Sequence, residues 1–190
     1  MASLVLTGDT SGSLTVSAPA IAGSNTQTLV ATTGTLAPIV SGTAVASTSG
    51  TSIDFTGIPS WVKRITVMFN GVSTNGTSNP LVQVGAGSVA TTGYAGTGAY
   101  LLATPSGSLF TNGFGITGAA ATNVYQGQLT LTTLGSNVWI CSYVLPASNS
   151  AQIFFGGGTI TLSGNLDRVR LTTVNGTDTF DAGSINILYE

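Results

Sequence analysis

The chain has 190 residues, with four Lys and Arg against six Asp and Glu, no histidine and a formal net charge of −2. That length suits one domain with an extension, or two small domains. Four cations are too few to displace counterions from nucleic-acid phosphates or to hold an anionic membrane, so neither is expected as a partner. Without imidazole there is no Ser-His-Asp or Cys-His nucleophile, and nearly all zinc and iron sites are excluded. One cysteine, Cys141, cannot close an intrachain disulfide. Only 5% of residues are charged, against about 25% in ordinary soluble domains, so the surface is polar mainly through Ser, Thr, Asn, Gln and backbone.

The opening MASLVLTGD has no basic region before its short apolar run, and it reads as neither a secretion signal nor a membrane anchor. Residues 1–50 hold no aromatic side chain and one charge, Asp9. Short alternating pieces at 4–6, 13–17 and 27–31, separated by Gly8, Gly12, Pro19, Gly23 and Gly34, predict extended strands that pair with another chain or a neighbouring surface. The texture changes near residue 50. Every Phe, Tyr and Trp lies beyond it, which places a body at 51–190 after an extended N-terminal segment at 1–50.

The body is organised around WVKRITVMFN, residues 61–70. Trp61, Lys63, Ile65, Val67 and Phe69 alternate with Val62, Arg64, Thr66 and Met68, and the run is bounded by Pro59 and the Asn70-Gly71 turn signal. LDRVRLTTVNG, residues 166–176, mirrors it near the other end, and these two runs carry every positive side chain. Further strands are predicted at 51–56, 80–84, 98–103, 124–134, 137–145, 150–155, 158–163 and 183–189. No stretch has a capped helical period. The clearest hairpin joins 124–134 to 137–145 through Gly135-Ser136-Asn137, with Cys141 packing as a small apolar residue between Trp139 and Tyr143. The dense glycines between Gly71 and Gly118 predict long surface loops over residues 85–118. Many short strands with glycine turns make the fold class all-β, a jelly-roll-like antiparallel β-sandwich.

Few groupings carry chemistry. Asp178 and Asp181 stand three apart in TDTFDAG, but calcium takes six to eight oxygens, and the pair reads as turn caps. GFGITG, residues 113–118, matches a dinucleotide-binding string but opens no helix. The Asn75-Gly76-Thr77 and Asn175-Gly176-Thr177 sequons read as turns. Asp54, Lys63, Arg64, Asp167, Arg168 and Arg170 sit together in strand runs and predict interstrand or intersubunit ion pairs, with an anionic-sugar site as the sharper reading. Tyr94, Tyr100, Phe110 and Phe114 fall in the glycine-rich region and are candidate receptor contacts through ring stacking. No catalytic residue, cofactor or metal site is expected.

The blocks TSIDFTGIPSWVKRITVMFNGVSTNGTSN (residues 51–79) and LDRVRLTTVNGTDTFDAGSINILYE (residues 166–190) resemble a domain found at the C-termini of tailed-phage tail-fibre and other virion surface proteins. LTGDTSGSLTVSAPAIAGSNTQTL (residues 6–29) is similar to the lead-in that often precedes it. The middle, residues 82–155, is alike only in texture. The resemblance implies a non-enzymatic homotrimer on the virion surface, on tail or capsid. Its N-terminal segment would dock to other virion proteins, and its β-rich head would face outward towards a host glycan or protein. The short stem leaves a short tail fibre or a capsid decoration or head-fibre protein as the two forms implied. A polysaccharide depolymerase is disfavoured by the scarcity of paired acids.

Overall fold

The computed structural model describes residues 3–7, 11–17 and 37–190. The chain divides into two units, Met1–Leu36 and Ala37–Glu190. In the first, β1 (Ser3–Thr7) and β2 (Ser13–Ser17) form an antiparallel hairpin with Leu4 opposite Val16 and Val5 opposite Thr15. The side chains of Leu4, Val5, Leu6 and Val16 are all more than half exposed. The strands expected at 4–6 and 13–17 are therefore present. The piece at 27–31 and Asp9 lie outside the described residues.

The second unit is built from two antiparallel sheets, and the described residues contain no helix. The nine-stranded sheet runs from β10 (Ser106–Phe110) through β9 (Ala95–Leu101), β14 (Ile153–Thr161), β13 (Val138–Pro146), β12 (Tyr125–Gly135), β6 (Arg64–Thr74) and β16 (Phe180–Tyr189) to β3 (Val40–Ser41), with β4 (Val45–Ala46) also paired to β16. The five-stranded sheet runs from β11 (Phe114–Gly115) through β7 (Pro80–Ala86) and β15 (Arg168–Thr173) to β5 (Ile53–Thr56), with β8 (Ser88–Val89) on β7.

Period-two patterning explains why these sheets face each other. On β13, Trp139, Cys141, Tyr143 and Leu145 are buried while Ile140, Ser142, Val144 and Pro146 are exposed. Ile65, Val67 and Phe69 of β6, Leu129 and Leu131 of β12, and Ile185 and Ile187 of β16 point the same way. They meet Ile53, Phe55, Val82, Val84, Val169 and Leu171 of the smaller sheet in one core. Each fully buried Val, Leu, Ile or Phe contributes about 1.5–3 kcal/mol.

Three departures from the sequence reading have physical causes. The strand expected at 61–70 begins at Arg64 and runs on through Asn70-Gly71 to Thr74. Gly71, at φ 69°, is skipped in the pairing with β12, and Gly183, at φ 88°, is skipped on β16. The Asn-Gly pair is therefore a bulge that bends a continuing strand, not a turn that ends it. Asn175-Gly176 does turn, with Gly176 N donating to Thr173 O at 3.0 Å. The strands expected at 150–155 and 158–163 are one strand, β14, continuous through Gly156, Gly157 and Gly158. The loops expected over 85–118 contain β9, β10 and β11, with Gly96, Gly98, Gly107 and Gly115 inside strands.

These glycines clear space for the sheets to approach. A Cβ on Gly98 would lie 2.7 Å from Tyr143 Oη and 3.0 Å from Thr117 Oγ1, and one on Gly156 would lie 2.8 Å from Tyr143 Cζ. Through that gap the Tyr143 hydroxyl donates to Gly115 O, joining β13 of the larger sheet to β11 of the smaller. Tyr125, wholly buried against Phe154 with ring centroids 5.0 Å apart, has a hydroxyl that meets no hydrogen-bond partner of good geometry among the described residues. The two tyrosines therefore respond oppositely to loss of the hydroxyl. Tyr143→Phe is expected to lower unfolding free energy by about 1–2 kcal/mol and Tyr125→Phe to raise it by about 1 kcal/mol, measured by urea denaturation.

Candidate functional site

The charged residues predicted to pair are strung along the sheet edges and connections. Arg170 and Asp54 are directly opposite on β15 and β5, and the guanidinium grips the carboxylate with two bonds of 2.7 and 2.9 Å. Arg168 holds its neighbour Asp167 at 2.7 and 3.1 Å, and Asp167 also accepts from Gly87 N at 3.1 Å. Arg64 pairs with Glu190, a carboxylate the sequence reading did not assign to a pair. All three pairs are partly open to solvent, so each contributes little to stability. Lys63 makes no ion pair among the described residues.

Hydrogen bonding from Arg168 holds the Asp167 carboxyl below the usual carboxylate range, and the Asn175 amide with Ser78 N does the same for Asp178. Asp178 accepts from Asn175 Nδ2 at 2.6 Å and Ser78 N at 2.9 Å, while Asp181 accepts from the Ser73 hydroxyl. The two carboxylates thus tie different pieces of loop and strand, with Asp178 joining the 75–78 and 175–178 loops.

Three of the four aromatics expected as receptor contacts are core residues. Tyr94, Phe110 and Phe114 are 4%, 5% and 1% exposed. The Tyr94 hydroxyl accepts from Val84 N at 2.8 Å and lies 3.1 Å from Ala90 O, and its ring meets Phe114 edge-on with centroids 5.0 Å apart. Burial pushes its pKa up to about 12. The physical reason is that residues 85–118 form strands, so alternate side chains must face the second sheet. Tyr100 is half-buried, its ring against Phe154 and over Gly118.

Two other surfaces stand out. The first is the outward face of the larger sheet. Val144 lies opposite Phe155, and Ile153 lies between Pro146 and Leu101, so their side chains are cross-strand neighbours. Val144 is 61% exposed and Leu109, on edge strand β10, 83%. No charged residue occurs in β9, β10, β12, β13 or β14.

The second is a cleft of about 100 Å³ where three connections converge. Ser60, Val62 and Lys63 come from the approach to β6. Thr133, Gly135, Ser136, Asn137 and Trp139 come from the β12–β13 hairpin, and Asn165 and Leu166 from the lead into β15. The hairpin turn has positive φ at both central residues, Ser136 at 49° and Asn137 at 61°, the geometry that matches strand twist. Backbone bonds anchor all three pieces: Thr133 N to Lys63 O at 3.0 Å, Leu162 N to Asn137 O at 3.0 Å, and Asp167 N, next to Leu166, to Gly85 O at 3.0 Å. Val62, Trp139 and Leu166 are buried beneath a rim of Ser60, Lys63, Ser136, Asn137 and Asn165. Trp61, between Ser60 and Val62 in sequence and 36% exposed, is not part of the lining; its ring lies 6.0 Å from that of Tyr189. Sequence reasoning missed Trp139, Asn137 and Asn165 as a group. The available signal was that both tryptophans fall in the runs that later converge on the only lysine.

Compared with protein-family models, curated proteins and solved structures, the chain matches none.

The titration chemistry sets the pH response. Asp167 and Asp178 have folded pKa values depressed below the unfolded carboxylate value of about 3.9, so their stabilisation is complete above it and lost as pH falls through the folded values. With no histidine, stability is expected to be flat from about pH 5 to 8 and to fall below about pH 4; because burial raises the Cys141 thiol and the Tyr94 and Tyr143 phenols, it is also expected to decline as pH rises past their unfolded values of about 8.5 and 10. Thermal melts across pH 2–10 check this, and a step near pH 6–7 contradicts it.

Proposed function

We propose that this chain is a non-enzymatic structural protein of a tailed-bacteriophage virion, a short tail fibre or appendage that attaches the particle to the host surface. The observation that carries this reading is the pairing of an all-β, nearly uncharged body with apolar surfaces that a single chain leaves open. Carboxylates neutralise three of its four cations, and among the described residues no Asp or Glu lines the cleft at Lys63. Extended antiparallel structure with few charges suits a rigid object outside a cell. Repeated passage of the chain between two antiparallel sheets supports a jelly-roll-like reading of the head.

The proposed assembly is a homotrimer joined through the outward face around Val144, Phe155, Ile153 and Leu101. Around a three-fold axis residues on the axis meet their own copies and the rest of one patch meets a different patch of the neighbour, so an uncharged apolar face brings no like-charge repulsion at the axis and buries apolar area at about 25 cal/mol per Å². The N-terminal segment serves attachment to other virion proteins. An isolated two-stranded hairpin is marginally stable in water, and the exposed Leu4, Val5, Leu6 and Val16 of β1 and β2 need cover.

Light scattering is expected to give three times the chain mass of 18.9 kDa. The double variant Val144→Asp, Phe155→Asp is expected to give the single-chain mass with an unchanged circular dichroism spectrum. A monomer in the unaltered protein rejects the trimer. Immunogold labelling of particles tests the address: label on the tail supports the fibre, and label on the capsid replaces it with a head-decorating protein of the same build.

A further inference from the structure

We propose that the Lys63 cleft is a binding site for a carboxylate-bearing sugar. Three features of one small site point to this ligand class. Lys63 is the only cation without a carboxylate partner among the described residues, whereas Arg64, Arg168 and Arg170 are each paired. The nearby acids are already engaged, Glu190 by Arg64 and Asp167 by Arg168 and Gly87 N. A ligand carboxylate at this rim therefore meets one open positive charge and no open negative one, and a charge-assisted hydrogen bond is about twice as strong as a neutral one.

The rest of the lining suits a sugar ring. Ser60, Ser136, Asn137 and Asn165 supply hydroxyl and amide groups that both donate and accept, as ring hydroxyls require. Asparagine amides elsewhere are taken up by loops, as at Asn75, Asn123 and Asn175. Among the described residues no such partner holds the amides of Asn137 and Asn165. Beneath them lie the buried side chains of Val62, Trp139 and Leu166, an apolar floor below the polar rim for the C–H side of a pyranose. The cleft volume of about 100 Å³ holds part of one residue of a chain, with the remainder passing into solvent. The lining is held by main-chain hydrogen bonds on three converging connections, so little ordering is needed on binding.

The inference rests on the attachment reading only for where such a sugar is met, namely on the host surface. Trp139 lines this cleft, which makes intrinsic fluorescence a readout of its occupancy. Titration with sodium glucuronate is expected to give a saturable change with Kd on the order of 1–10 mM, with glucose and sodium acetate each about tenfold weaker because each lacks half of the contacts. Lys63→Gln is expected to weaken glucuronate about tenfold and leave glucose unchanged. Asn137→Gly, which keeps the positive φ of the turn, is expected to weaken both sugars.

No saturable change, an equal response to glucose, an equal response to acetate, or full glucuronate affinity in the Lys63→Gln protein overturns the proposal. Host-cell binding separates the two readings. Glucuronate binding without cell binding removes the attachment function and keeps the cleft, and cell binding unaffected by Lys63→Gln and by free glucuronate removes the cleft from attachment.

Discussion

The structure depends on how closely two sheets approach where Tyr143 crosses between them. Its hydroxyl leaves β13, passes over backbone stripped of side chains at Gly98 and Gly156, and ends on the Gly115 carbonyl of the opposing sheet. A side chain at either glycine would meet the phenol ring or its oxygen. The same requirement repeats at Gly115, where a Cβ would enter the Phe110 ring. Glycine inside a strand is entropically costly, by roughly 0.5–1 kcal/mol against alanine. Here the cost is offset because Tyr143, Phe110, Phe114 and Phe154 fill the volume the glycines leave, all of them buried.

That constraint also explains which parts of the fold were legible in the sequence. Strands that carry their own alternation lie where they were expected: residues 53–56, 138–146 and 168–173 follow the period of two, and Trp139, Cys141 and Tyr143 face inward together. What misled was glycine. At Gly96, Gly98, Gly107, Gly115 and Gly156 to Gly158 a residue type that punctuates loops serves close packing, and only the partner sheet distinguishes the two uses. Tyr94, Phe110 and Phe114 were displaced with them from loop surface to core. Asn70-Gly71 is the same lesson at one residue: the left-handed φ demanded by the pair is real, but β12 and β16 pair on either side of it, so it bends the strand and does not end it.

The surface sites were harder to read because their members are far apart in sequence. Asp54 and Arg170 are brought opposite by the β5–β15 register, which no local pattern encodes. The cleft draws on positions near 60, 135 and 165, three connections whose common feature is that each leads into or out of a strand at one place. Lys63 was legible as a charge, and Asn137 as a turn residue. Their proximity follows only from Thr133 N pairing with Lys63 O beside the β12–β13 turn.

Scarcity of charge links these observations to a role. In a chain with ten charged groups in all, each pairing changes the character of a surface, and the three guanidiniums are held by carboxylates at β5–β15, at the start of β15 and at the end of β16. That leaves the broad face of β9, β10, β13 and β14 free of charge and Lys63 as the one cation without a carboxylate partner among the described residues, above the buried Val62, Trp139 and Leu166. An uncharged apolar face discriminates poorly between partners by electrostatics and well by shape, which suits contact between identical copies. A single uncompensated ammonium among amides and hydroxyls does the opposite: it contributes little adhesion alone but separates acidic from neutral ligands. Attachment by a multicopy object works with individually weak sites of this second kind, because binding several at once multiplies affinity without any new contact at each.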